Sequence, residues 1–366
     1  MSNRALVAYG DANSVTTWSG IPYFFLQAGR RGGLFTAGVR LHPERFRPRR
    51  LVWNALRPLT LDRPGGFMYT RDHLEALWRD GDVPPETEDF VSHLQLLPPP
   101  NVAAGRTTYY IDATMRQYFE GYGRRLGRRI RNEALARERE AYERARFVVC
   151  MSRWCADDVE ASYGISRAKI RVILPGANVD ESSLPSPAEW NGSLSPLRLG
   201  LVGMDWERKG GPILLETATT LEGMGHRVEV VAIGPAGSKL PSHPSLRAIG
   251  FIDKRRELGR FVELVRSFHF GCLVSRAEAL GISTLESLRL GVPVIGTAVG
   301  GIVDTVPAGA GFLLPPERTS ERLVEALLPL LDEPELYAKM RMTAARVAER
   351  QSWDRTVSEF NQLLDG

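Results

Sequence analysis

Along this chain, short apolar runs rich in β-branched residues alternate with longer stretches whose apolar positions recur every three to four residues. That alternation predicts strands and helices in βα order, and hence parallel sheets covered by helices. In the first half, ALVAYG (5–10), LFTAGVRL (34–41), TTYYID (107–112), RFVVCM (146–151) and KIRVIL (169–174) read as strands, and the clearest helical stretch runs from about Arg116 to Arg144. The second half repeats the pattern, with LRLGLVG (197–203), VEVVAIG (228–234), SLRAIGF (245–251), FGCLVS (270–275) and VPVIGT (292–297) as strands. ILLETATTLEGMG, RELGRFVELVRSF and STLESLRLG are the helices between them. From Val179 to Pro196 the chain reads VDESSLPSPAEWNGSLSP, with no apolar period and several breakers, which predicts an interdomain linker. The tail from Ser320 onward reads as helical and long enough to return to the first domain. The expected organisation is an N-terminal domain over 1–180, a linker over 181–196, a C-terminal domain over 197–345 and a terminal helix over 346–366.

A length of 366 residues fits two α/β domains, and 43% hydrophobic residues suffice for two cores. No run of about 18 apolar residues is present, and MSNRALVAYGDANS enters a strand without a signal-peptide pattern, so a soluble cytoplasmic protein is expected. Cys150 and Cys272 sit in apolar runs and read as reduced core thiols. With no metal-ligand spacing in the chain, no metal site is expected. Residues 1–200 hold 28 Lys/Arg against 22 Asp/Glu and the remainder 19 against 21, so the first half faces either something anionic or nothing in particular; nucleic acid is not expected. Nearly all cations are Arg, with Lys only at 169, 209, 239, 254 and 339.

The strongest chemical signal starts where strand FGCLVS ends, in SRAEALGISTLESLRLGVPVIGTAVGG. Its loop falls at the carboxyl edge of a parallel sheet, where open α/β folds bind ligands. Ser283 reads as the cap of the next helix, whose first-turn amides suit a phosphate. Glu278 in the loop and Glu286 in the first turn can accept hydrogen bonds from paired sugar hydroxyls; equally, Ser283-x-x-Glu286 is a capping box. In LRLGLVGMDWERKGG, Arg208 and Lys209 stand before two glycines at another carboxyl edge, placed to neutralise a diphosphate or simply forming a solvated turn. In DANSVTTWSGIP, Ser19 and Gly20 open a helix, as a plain cap or as a point of close backbone approach.

Together, in this order, these pieces resemble the retaining GT-B glycosyltransferases of family 4, over nearly the whole chain. The family's E-x7-E element is similar to Glu278–Glu286 in EALGISTLE, its G-x-x-x-x-x-K-G element to GMDWERKG, and its closing aromatic helix to QSWDRTVSEF. GVPVIGTAVGGIVDTV, GAGFLLPP and the run from Glu138 through ILPGANVD are similar to family segments as well. The resemblance implies two Rossmann-like parallel-sheet domains facing a cleft, with a C-terminal helix crossing back to the N-terminal domain. It implies a nucleoside diphosphate sugar (UDP-, GDP- or ADP-linked) as donor, with no obligatory metal or other cofactor. Lys209 and Arg208 would meet the diphosphate, Glu286 the ribose and Glu278 the transferred sugar. Ala279, Leu280, Gly281, Ile282 and Thr284 would line the sugar and phosphates, together with Gly203, Phe251, Ser19 and Gly20.

The sequence departs from the family in two places. Met204 stands where the family has Arg, and Asp112 in TTYYIDATM stands where many members have a His facing the donor sugar. Asp112 could accept a hydrogen bond from an acceptor or sugar hydroxyl, or cap the following helix. On the acceptor side, His93 and Gln95 in SHLQLLPPP could line the cleft or form a solvated loop. GRRLGRRIRNEALARERE, with Arg at 124, 125, 128, 129 and 131, reads as a solvated helix or as a face for a phosphate-bearing or lipid-linked acceptor at the inner membrane surface. The expected function is retaining transfer of a sugar to a hydroxyl acceptor; the rival is a sugar- or nucleotide-binding protein of the same fold without turnover. A nicotinamide dehydrogenase is disfavoured because no G-x-G-x-x-G follows the first strand.

Overall fold

The computed structural model describes residues 3–57, 65–96, 101–122, 126–179, 192–235, 240–317 and 319–366. It divides into two units, Met1–Leu174 with Thr356–Gly366, and Pro175–Arg355. Most of the predicted linker, residues 181–191, lies outside the described residues, as do Arg124 and Arg125.

The first unit holds β1 (Arg4–Val7), β2 (Ala37–Gly38), β3 (Asp89–Ser92), β4 (Thr107–Ile111), β5 (Phe147–Cys150) and β6 (Ile170–Val172). They form one sheet in the order β2-β1-β3-β4-β5-β6, with every ladder parallel. From β1 the chain winds to β2 on one side and then to β3 and beyond on the other, so the winding reverses between β1 and β3. The helices are α1 (Ile21–Arg31), α2 (Arg47–Leu56), α3 (Arg71–Arg79), α4 (Met115–Gly121), α5 (Arg128–Arg144) and α6 (Arg153–Tyr163).

Three local expectations change here. LFTAGVRL yields a strand of only two residues, because Phe35 packs edge-on against Phe25 as a core anchor outside the ladder. The sequence pattern predicts no strand at the central β3, since an acidic, proline-bearing approach (PPETED) leads into only four residues. The helical stretch from Arg116 is two helices, with Gly127 taking extended backbone ahead of the second.

The second unit holds β7 (Leu197–Val202), β8 (Val228–Ile233), β9 (Leu246–Gly250), β10 (Phe270–Leu273), β11 (Val294–Thr297) and β12 (Gly311–Leu314), ordered β12-β11-β10-β7-β8-β9 and again all parallel. Between its strands run α7 (Gly211–Gly223), α8 (Leu258–Arg266), α9 (Ile282–Arg289) and α10 (Ile302–Thr305), followed by α11 (Thr319–Asp332) and α12 (Pro334–Val347). Here the winding reverses between β7 and β10, and in open α/β sheets the crevice at such a reversal is where ligands bind. Leu199, Leu201, Phe270 and Ile295 from the sheet pack with Leu214 and Ala218 of α7 in a core that excludes water. Each such side chain contributes about 1.5–3 kcal/mol of burial, Ala less.

The last helix, α13 (Trp353–Asp365), starts in the second unit and ends in the first. Trp353 Nε1 donates to Asn178 Oδ1 at 3.1 Å. Further along, Phe360 packs 5.1 Å from Phe25 and 4.9 Å from Tyr110, and Asp365 pairs with Arg4 at 2.9 Å. The aromatic helix of the sequence is thus core to the unit that the N-terminus begins.

Candidate active site

The two loops at the reversal of the second sheet carry most of the candidate residues. After β7, Gly203 takes a left-handed φ of 148° and the stem of Lys209 packs over it; a Cβ there would overlap that stem. Asp205 Oδ1 accepts from the Arg208 amide at 3.1 Å, and Arg208 Nε donates to Asp205 Oδ2 at 3.2 Å, which fixes the turn. After β10, the Arg276 amide donates to the Arg208 carbonyl at 3.1 Å, tying the two loops together. Arg208 Nη1 then donates to Glu278 Oε2 and to the Ala277 carbonyl, each at 2.9 Å, and Lys209 Nζ lies 3.4 Å from the same Glu278 oxygen. Two cations therefore converge on one carboxylate whose side chain is only 11% exposed. Gly300 packs on the backbone of this loop, where a Cβ would overlap the Glu278 carbonyl oxygen.

Beside this cluster, α9 does not start as its sequence suggested. Its N-cap is Gly281 in the left-handed region (φ 89°), with no side-chain cap. Ser283 is therefore inside the helix, facing the sheet at a small void lined by Gly200, Val202 and Gly271, and its buried Oγ has no hydrogen-bond partner among the described residues. Glu286 correspondingly falls in the second turn. The capping-box reading of Glu286 is thus overturned: only a glycine turns the chain sharply enough between the β10 loop and the helix, so the cap lies two residues earlier. The side chain of Glu286 is buried and meets Lys254 Nζ, which also lies 4.2 Å from the Phe261 ring and 3.5 Å from the Asn178 carbonyl. Leu280 and Ala279 are buried, and Thr284 Oγ1 lies 2.7 Å from the Gly281 carbonyl and 2.8 Å from Thr305 Oγ1, so its hydroxyl serves the turn. Phe251, just past β9, is 67% exposed. Lys254 was missed from sequence, although its rarity in an Arg-rich chain and its place after a strand's carboxyl end were the available signals.

In the first unit, Trp18, Ser19 and Gly20 follow one another with positive φ of 42°, 57° and 84°, and α1 is capped by Gly20 with no side-chain bond. Ser19 is not a cap, and two non-glycine residues held in this region store backbone strain of the kind found at ligand sites. Trp18 lies 4.8 Å edge-on from the His93 ring. His93 is not the solvated loop residue the sequence suggested: it is 8% exposed because β3 is central, and its Nδ1–H donates to the Tyr110 carbonyl at 2.6 Å. Gln95 is equally buried, donating to the Ala113 carbonyl at 3.2 Å. Asp112 follows β4 half-buried and does not cap α4; Thr114 does, in a capping box with Gln117, while the Met115 amide donates to the buried Glu138 at 2.9 Å. The acceptor assignments to His93 and Gln95 thus rest on side chains engaged with the protein itself.

Burial pushes the His93 imidazole down to about 4. The unfolded chain would take up that proton near pH 6.5 and the folded chain only near 4, so this contribution is complete above pH 6.5 and lost as pH falls to 4. His93→Gln is expected to flatten the acid loss of stability in that window by on the order of 2 kcal/mol. Thermal melts at pH 7 and pH 4.5 measure it, and parallel losses in both proteins would refute the assignment.

A pocket that the sequence did not suggest lies beyond the carboxyl end of β1. Tyr9 OH meets His73 Nε2 at 3.2 Å on its wall, and Arg47 and Arg50 from α2 line it with Asn54. Among the described residues neither Arg47 nor Arg50 has a carboxylate partner. Burial pushes His73 down to about 4 and raises the Tyr9 phenol, the latter opposed by Arg50.

Two family models cover most of the chain: residues 90–181 match Glycosyltransferase Family 4 and residues 205–347 match Glycosyl transferases group 1. The chain belongs to the family 4 glycosyltransferases of GT-B fold. Among its relatives, the D-inositol 3-phosphate glycosyltransferase of Corynebacterium urealyticum is 28% identical over 227 residues, 56% of this chain and 53% of that protein. That of Acidothermus cellulolyticus is 31% identical over 218 residues, 53% and 47% of the two chains. The match thus spans about half the length of these relatives. Sucrose-phosphate synthase of Thermosynechococcus elongatus has the same fold at a TM-score of 0.70 and 15% identity, covering 99% of this chain and 98% of its own. WaaG, a glycosyltransferase involved in lipopolysaccharide biosynthesis, aligns at 0.63 and 16%, covering 99% and 100%. Anabaena HepE in complex with UDP-glucose aligns at 0.63 and 14%, also covering 99% and 100%. Within the second matched region, GMDWERKG and the Glu278 end of EALGISTLE meet in the cation–carboxylate cluster.

Proposed function

We propose that this protein moves a sugar from a nucleoside diphosphate sugar to a hydroxyl acceptor, retaining the anomeric configuration, with protein cations carrying the diphosphate. The observation behind this reading is the convergence of Arg208 and Lys209 on Glu278 at the winding reversal of the second sheet. An incoming diphosphate competes with Glu278 for both cations and frees its carboxylate to accept from sugar hydroxyls. As the bond from the anomeric carbon to the diphosphate breaks, charge builds on the leaving oxygen, and Lys209 and Arg208 stabilise it. The acceptor oxygen bonds the anomeric carbon on the face being vacated, and its proton passes to the leaving diphosphate, so no strong side-chain base is required. Glu286, set by Lys254, is assigned to the ribose hydroxyls and exposed Phe251 to the base.

HepE is named with UDP-glucose, which makes that the first donor to try beside GDP- and ADP-sugars. Slow release of the nucleoside diphosphate from one of them supports transfer. Tight nucleotide binding with no cleavage of any donor would instead favour the binding-protein reading that Met204, in place of the family's Arg, suggests.

For the acceptor, the pocket of Tyr9, His73, Arg47 and Arg50 suits a phosphate group, and the relatives above are named for a phosphate-bearing polyol. With inositol 3-phosphate as acceptor, Arg50→Gln is expected to raise KM about tenfold at similar kcat, the loss of one charge-assisted hydrogen bond. An unchanged KM would remove the pocket from the acceptor site.

A further inference from the structure

The turn that carries both cations is seated firmly on the second sheet. Residues 206–210 form it, with the Lys209 amide donating to the Asp205 carbonyl at 3.1 Å and the Gly211 amide to the Trp206 carbonyl at 2.9 Å. Trp206 is buried in the core beneath, and its indole occupies the space that a Cβ on Gly211 would need. Gly210, at φ 85°, packs so closely on the Val274 carbonyl that a Cβ would overlap it, which sets the turn against the end of β10.

Within this frame the two cations are aimed by different means. Lys209 is aimed by its stem, which packs over Gly203. Arg208 is aimed by polar contacts: Nη1 donates to Glu278 and to the Ala277 carbonyl, and Nε donates to Asp205 Oδ2 at 3.2 Å. Capping the turn takes one acceptor, and Asp205 Oδ1 supplies it by accepting from the Arg208 amide at 3.1 Å. The second oxygen does what a cap does not require, because it fixes the rotation of the guanidinium. Among the described residues the ion pair of Asp205 is with Arg208, and the aspartate side chain is 52% exposed. An exposed pair of this kind adds little to stability, so stability gives little reason for it.

The reason appears when an anion arrives. In the transfer reading, on which this inference rests, a diphosphate takes the place of Glu278 on Arg208. The guanidinium then loses one of the contacts that direct it, while its planar fork gives full stabilisation only in register with the anion. We propose that Asp205 is the positioning residue of Arg208: it holds Nε while the Nη donors pass from Glu278 to the diphosphate, so that the cation meets the leaving group without a search.

Asp205→Asn separates the two roles, since it keeps an oxygen for the Arg208 amide and presents an NH2 group to Nε. With UDP-glucose as donor, this variant should melt like the native chain and lose about tenfold in kcat for donor hydrolysis. Its affinity for UDP, by calorimetry, should stay within about threefold, because removing a negative charge beside the cations offsets the lost orientation in binding. Asp205→Ala should show the same kinetic loss together with a lower melting temperature. In an Arg208→Gln background, Asp205→Asn should cost nothing further, as two residues acting through one contact are not additive. Full turnover in Asp205→Asn with loss confined to Asp205→Ala makes Asp205 a plain cap and overturns the proposal, as does a further loss in the Arg208→Gln background. A measurement without donor keeps this separate from the transfer reading. The Nε–H resonance of Arg208, assigned by its absence in Arg208→Gln, should exchange slowly with water in the native chain and fast in Asp205→Asn. An unchanged resonance overturns the proposal whether or not any donor is cleaved; the expected change without donor cleavage upholds the hold on Arg208 and removes the transfer reading alone.

Discussion

Lys209→Ala is expected to lower donor turnover by on the order of 100- to 1000-fold, the usual cost of removing one preorganised group that meets developing charge. The size follows from position. Lys209 Nζ shares a single carboxylate oxygen with Arg208, its side chain is only 12% exposed, and its stem is seated over Gly203, so little reorganisation is needed when a diphosphate arrives. Its fold contribution should be small, within about 1 kcal/mol, because Glu278 keeps Arg208 as partner. Donor hydrolysis and a thermal melt on the same preparation separate the two effects. Full activity in the variant would end the diphosphate assignment, and a collapsed melt would make Lys209 a structural residue.

Glu286→Gln is the second large effect. If the carboxylate holds ribose, its replacement by an amide should weaken nucleoside diphosphate binding roughly 10- to 100-fold, as expected for a hydrogen bond to a charged group. Lys254 also loses its counter-charge, but at 19% side-chain exposure it can turn toward water, so stability should fall by only about 1–2 kcal/mol. Calorimetric titration with UDP and GDP reads the first quantity and melting the second. Because α9 is capped by Gly281, a drop in melting temperature with unchanged nucleotide affinity cannot be ascribed to lost capping; it would mean that the Glu286–Lys254 pair is purely structural.

Much of the site was legible because its parts are local. GMDWERKGG and EALGISTLE each lie at the carboxyl end of an apolar run, and βα order alone puts such loops on one edge of a sheet. The errors were local as well. A Ser three residues before a Glu looks like a capping box, and nothing nearby reveals that a glycine two residues earlier has already turned the chain. His93 looked solvated because a proline run follows it, whereas β3 occupies the middle of its sheet and encloses the ring.

By itself, the sequence determined the βα alternation, the parallel sheets and the loops that carry the cations and carboxylates, since hydrophobic period and turn chemistry are written within a dozen residues. Only the tertiary structure decided which charges meet. Arg208 and Lys209 reach Glu278 across 70 and 69 residues, and Lys254 reaches Glu286 across 32, because β10 lies beside β7 in the sheet and the winding reverses there. It likewise decided that Arg129, Arg131 and Arg137 of α5 find glutamates while Arg47 and Arg50 of α2 line a pocket. Strand order and side-chain pairing at such separations depend on how the elements pack, and no short stretch of sequence contains that information.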